Sequence, residues 1–155
     1  MKIIKGNILD IFREADEAYL LHGVSCQPVL HAGLAKQIIV EYPNLLGFHR
    51  SKIFNSLSKE LLLGTCTFYQ VHPDKTKFIV NLYQQQNIGR NRQQIDYNAF
   101  ANALFDFSIF KTPDIPIYIS EGIGSGNAGG RKETILEIIE RILPEAILVR
   151  YVTNL

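Results

Sequence analysis

Short apolar runs alternate along this chain with longer amphipathic stretches. Lys2-Ile3-Ile4-Lys5 has the length and content of a strand, closed by Gly6-Asn7. The run from Ala18 to Val24 is almost wholly apolar, as expected for a strand covered on both faces. Residues 33–42 set Leu34, Ile38, Ile39 and Tyr42 at helical spacing, and Pro43 ends that helix. Residues 45–57 read as helical in part. Strands follow over 64–71 and 77–83, with Pro73-Asp74 as the turn between them. Asp96 is placed to N-cap a helix over 97–110. A strand over 115–120 comes next. A helix over about 131–142 then carries Ile135, Ile138, Ile139 and Ile142 on one face, and residues 146–151 form the last strand. Strands alternating with helices predict an α/β fold with a mixed, largely parallel central sheet. In such sheets ligands bind in the loops beyond the carboxyl ends of the strands.

Composition narrows the possibilities. The chain has 155 residues, 46% hydrophobic and 20% charged, which suits one globular domain over residues 1–155 rather than a disordered segment. A core of that size needs neither a disulfide nor a metal to hold it. The net charge is +1 with no run of Lys or Arg, which argues against a general nucleic-acid surface. Cys26 and Cys66 form no Cys-x-x-Cys pair, and no two histidines share metal-ligand spacing with a carboxylate. The site is therefore expected to need no metal and no cofactor. No signal-peptide core and no apolar run of membrane-spanning length is present. The expectation is a cytoplasmic monomer with free thiols and no membrane contact.

Two loops carry candidate chemistry. The first runs from His22 to Gly33, and Ala32-Gly33-Leu34-Ala35 places small residues where a helix starts. Exposed N–H groups at a helix start suit a phosphate, although a tight turn alone would also explain small residues there. The second, Gly122-Ile123-Gly124-Ser125-Gly126-Asn127-Ala128-Gly129-Gly130, has five glycines in nine residues between a strand and a helix. Glycines let backbone N–H groups converge on an anion, and a simple turn needs fewer. No Gly-Lys-Ser/Thr follows, so this is not a Walker loop. Two such loops at neighbouring strand ends would clamp a diphosphate.

At this point the residues resemble the macro domains. Lys5-Gly6-Asn7-Ile8-Leu9 is similar to that family's Gly-Asp-Ile-Thr opening. His22-Gly23-Val24-Ser25 followed by His31-Ala32-Gly33-Leu34-Ala35 is similar to its Asn-Ala-Ala-Asn…Gly-Gly-Gly-Val-Ala signature, and residues 123–130 resemble its late phosphate loop. The branch that matches more closely includes ADP-ribose 1''-phosphate phosphatases and terminal ADP-ribose glycohydrolases, where His replaces the first signature Asn.

The resemblance implies a three-layer α/β/α macro-type fold and an ADP-ribose derivative as ligand, either free or carried on an ADP-ribosylated macromolecule. It implies that Asn7 and Ile8 hold adenine and that Ala32, Gly33 and Leu34 offer N–H groups to a phosphate. Gly124, Ser125, Gly126 and Asn127 would hold the diphosphate and distal ribose. Ser25, His31 and Tyr151 would also contact ligand, with Tyr83 flanking it, and His22 would act on the distal-ribose substituent as the catalytic group. A histidine can serve as acid, base or nucleophile near neutrality; a histidine merely hydrogen-bonded at a strand end is the alternative.

The chain also departs from the family. The glycohydrolases use a Lys nucleophile and a late-loop Asp where this chain has Gln84 and Ala128, and Arg131-Lys132 makes the rim basic. The implied activity is hydrolysis at the distal ribose. A binding module without turnover and an ordinary α/β domain without a nucleotide are the other two readings. His49 and His72 read as surface or turn residues, and Gln84 to Arg90 as a polar loop over the site, placed to bond ribose hydroxyls or simply to be solvated.

Overall fold

The computed structural model describes residues 1–57, 59–89 and 92–152. Its elements are β1 (Lys2–Gly6), α1 (Ile8–Glu14), β2 (Ala18–Ser25), α2 (Gly33–Glu41), α3 (Asn44–Phe54), α4 (Lys59–Leu62), β3 (Cys66–Gln70), β4 (Lys77–Gln85), α5 (Tyr97–Phe110), β5 (Ile117–Ser120), α6 (Lys132–Ile142) and β6 (Ile147–Tyr151). The six strands form one sheet in the order β1-β6-β5-β2-β4-β3. Every neighbouring pair is parallel except β3–β4, the hairpin that turns at Pro73-Asp74.

Strand side chains alternate between faces, so one strand feeds two cores. From β2, Tyr19 and Leu21 pack with α5 and α6, among Phe100, Leu104, Phe107, Ile135 and Ile139. Ala18, Leu20 and Val24 pack on the other side with Ile8, Leu9 and Phe12 of α1, Ile38 of α2 and Leu45 of α3. These layers make the three-layer α/β/α sandwich that the family resemblance implied, around the mixed, largely parallel sheet that the alternation of elements predicted. The apolar run of β2 is explained by its place beside β5 and β4, covered on both faces.

Several local readings change. Asn7 does not only close β1: it caps α1, its Oδ1 accepting from the N–H groups of Leu9 (2.9 Å) and Asp10 (3.3 Å). The missed helix was legible in a capping Asn followed by Ile8, Leu9 and Phe12 at helical spacing. Pro43 ends α2 and also stands at the N-cap of α3, where a missing N–H costs nothing. His49 is not a surface residue: it is fully buried in α3, stacked on Tyr83 with Nε2 against the carbonyl of Gln27 at 2.7 Å. Asp96 caps α5 as read, accepting from Ala99 N–H. Arg90, the last residue of the polar-loop reading, lies outside the described residues.

Candidate functional site

The carboxyl ends of β2, β4 and β5 open onto one cleft of about 490 Å³. Its walls are the two loops singled out in the sequence. From the first come Ser25, His31, Ala32, Gly33 and Leu34; from the second come Gly124, Gly126 and Asn127. Gly33 and Gly126 thus face a common space. Ala32 is the N-cap of α2, makes no side-chain capping bond, and is followed by no acidic residue in the first turn. The leading N–H groups of α2 therefore lack a side-chain acceptor at the cap, and the positive end of the helix dipole is uncompensated. That is the electrostatic setting an anion requires.

Other expected contacts lie elsewhere. Asn7 and Tyr151 sit at the carboxyl ends of β1 and β6, where Gly6 is in register with Tyr151. They form a second group beyond β5, outside the cleft lining, and Tyr151 is largely exposed there. The Ile8 side chain belongs to the core. Ser125 turns its hydroxyl back onto the carbonyl of Gly122 at 2.9 Å. Tyr83 does not flank the cleft: it is fully buried, between His49 and the hydroxyl of Thr67.

His22 lines the cleft and is 2% exposed. Its Nε2 meets Oδ1 of Asn81, its register partner on β4, at 2.6 Å. If Nε2 carries the proton, it donates to Asn81 and leaves Nδ1 as the basic nitrogen. Nδ1 has no hydrogen-bond partner among the described residues. Burial lowers the His22 pKa to about 4, and nearby His49 adds to the shift, while the bond to Asn81 opposes it. At neutral pH the ring is uncharged. It can accept a proton weakly, and it cannot act as the resident acid. His22 and His31 are the ionisable side chains among the residues lining this cleft.

On the rim Arg131 is exposed, while Lys132 is tied to a neighbour. Lys132 Nζ is 2.9 Å from Oε1 of Glu121, and the Arg150 guanidinium grips the same carboxylate through contacts of 2.8 to 3.1 Å. Bonds to Arg150 and then Lys132 hold the Glu121 pKa down at about 2. The positive charge of Lys132 is thus spent on a neighbour.

Sequence reasoning treated Gln84 and Gln85 as loop residues. They end β4, are nearly buried, and line the cleft. Gln84 was visible as part of a polar loop able to reach ribose hydroxyls and as the place where a Lys is absent. A polar run directly continuing an apolar strand was the signal available.

No family model matches the chain. A curated relative, the uncharacterized 17.5 kDa protein in the tk-vs intergenic region of Enterobacteria phage T4, is 29% identical over 134 residues, covering 82% of each chain. Among solved structures, a protein of unknown function from Bacteroides thetaiotaomicron has a TM-score of 0.83 at 18% identity, over 98% of this chain and 99% of that one. The macrodomain of Mycobacterium tuberculosis DarG has a TM-score of 0.72 at 19% identity, over 99% and 97%. Thermosipho africanus DarTG in complex with ADP-ribose has a TM-score of 0.73 at 14% identity, over 100% of this chain and 43% of that one. The sheet order, the two layers of helices and these similarities lead to one statement: the chain has the macrodomain fold.

Proposed function

We propose that the chain binds ADP-ribose or a close derivative in the cleft between its two loops, and that it hydrolyses the substituent on the distal ribose. The carrying observation is the shared space between Gly33 and Gly126, with the uncapped start of α2 on one wall. A pyrophosphate there meets backbone N–H groups and a helix dipole without any lysine. The ADP-ribose bound to the DarTG of similar fold supports the choice of nucleotide. Asn7 and Tyr151 at the β1–β6 end would then take the adenine, and His22 would stand at the opposite, distal end.

For turnover, His22 would use Nδ1 to take a proton from water. The water oxygen would bond to phosphorus or to the anomeric carbon, and the leaving group would depart with its electron pair and then collect the proton. The expected substrates are ADP-ribose 1''-phosphate and ADP-ribosylated macromolecules.

A specific observation favours a second reading, binding without turnover. Among the described residues the cleft lining holds no carboxylate and no lysine, and its buried histidine is a weak base. Thermal shift with ADP-ribose, AMP and NAD tests binding, since a ligand selective for the folded state raises the melting temperature. Product release by wild type and His22→Ala, both checked for binding, tests turnover. Equal inertness of two ligand-competent proteins leaves the binding module; no shift with ADP-ribose removes both readings.

A further inference from the structure

Gln84 stands apart from its neighbours in three ways. The sheet register breaks beside it: Val24 pairs with Tyr83 but Ser25 pairs with Gln85, so Gln84 is the extra residue of a β-bulge. Bulges bend a strand end and re-aim its side chains. Its own carbonyl accepts from Asp96 N–H at 2.8 Å, which fixes the bulge against the start of α5. Its side chain then lies across Gly23, where any Cβ would fall 2.1 Å from both Cδ and Oε1. It is 3% exposed, yet it lines the cleft.

The third feature is a hydrogen-bond relay whose direction is fixed. Gln85 Nε2 donates to the carbonyl of Asn87 at 2.8 Å. A carbonyl can only accept, so this bond identifies the nitrogen of Gln85 and leaves its Oε1 as an acceptor. Gln84 Nε2 donates to that oxygen at 3.2 Å. The remaining atom, Gln84 Oε1, is buried without a hydrogen-bond partner among the described residues. Buried acceptors in native proteins are ordinarily matched, and this one belongs to a residue that lines the cleft.

We infer that Gln84 Oε1 accepts a hydrogen bond from a hydroxyl of the bound ligand, and that this hydroxyl belongs to the distal sugar. The inference rests on the ADP-ribose reading above. A ligand with adenine at the β1–β6 end and its diphosphate between the loops after β5 and β2 brings its second sugar to β4. A ribose offers hydroxyl donors at that point. An ionised phosphate offers only acceptors and would face the carboxamide oxygen unfavourably. Gln84 is therefore a specificity residue for a neutral, hydroxyl-bearing group.

Calorimetry with ADP-ribose and with ADP, which lacks the distal sugar, tests this on wild type, Gln84→Met and Gln85→Leu. Methionine keeps the length of the side chain over Gly23 and removes both polar atoms. Gln85→Leu leaves Gln84 in place and frees its amide to turn over, so it reports even if the methionine variant does not fold. The expected result for Gln84→Met is about fivefold weaker binding of ADP-ribose, the worth of one neutral hydrogen bond, with ADP changed less than about twofold. Gln85→Leu should show a smaller loss with the same selectivity. An equal loss for both ligands makes Gln84 a packing residue and overturns the inference, as does no loss in either variant; both leave the ADP-ribose reading standing. Wild type that binds ADP but gains nothing from the distal sugar overturns it as well. Wild type that binds neither ligand ends that reading and this inference together.

Discussion

Acid should destabilise this protein well before its carboxylates titrate. His22 is buried beside Asn81 and His49, and its pKa falls from 6.5 to about 4. The His49 pKa is also lowered, chiefly by burial. The unfolded chain regains ordinary imidazoles, so between those values it binds more protons than the folded protein. Stability is whole above the unfolded pKa and is lost as pH falls toward the folded one. At about pH 5, roughly 97% of unfolded His22 is protonated against roughly 10% in the fold, a loss of about 2 kcal/mol relative to about pH 7.5. His49 adds in the same direction. Urea unfolding followed by circular dichroism at those two pH values should show the midpoint falling by about 1 M at pH 5. In His22→Asn the pH-dependent part should shrink to the contribution of the remaining histidines. Glu121 does not interfere, because its stabilisation is lost as pH falls between 4.5 and about 2. Equal midpoints at both pH values, or an undiminished drop in His22→Asn, would refute the assignment of His22 as a buried neutral base.

Other expectations follow from the same geometry. A Cβ at Gly130 would lie 2.7 Å from both the carbonyl of Gly124 and Cδ1 of Ile135, whereas a Cβ at Gly126 meets nothing within 4 Å. Gly130→Ala should therefore lower the melting temperature by several degrees, a cost of about 1–3 kcal/mol for overpacking, while Gly126→Val melts near wild type and loses ADP-ribose in calorimetry. Glu121→Gln leaves Arg150 and Lys132 without their partner, and because both arms are about half exposed the cost should stay below about 1 kcal/mol at neutral pH; denaturation at about pH 7 and pH 3 should show that the variant loses less on acidification than wild type. If the protein turns over substrate with His22 as base, kcat/KM should stay level down to about pH 5 and fall by half near about pH 4. An inflection near 6.5 would exclude His22 from that role.

Much of the fold could be read along the chain because its causes are local. The apolar run of β2, the isoleucine stripe of α6, the capping Asp96 and the prolines each act over a few residues, and each produced the expected element. The glycine-bearing loops were legible for the same reason. Only the folded chain decided the rest, because it depends on partners far apart in sequence. His22 and Asn81 lie 59 positions apart in the chain, and burial between β2, β4 and α3 keeps an ordinary imidazole neutral. Arg150 and Lys132 converge on Glu121 only when β6 and α6 are in place, which ties Lys132 to a carboxylate on the far side of the glycine loop. Gln84 acquires its direction from a break in the β2–β4 register, and register is a property of paired strands rather than of either one.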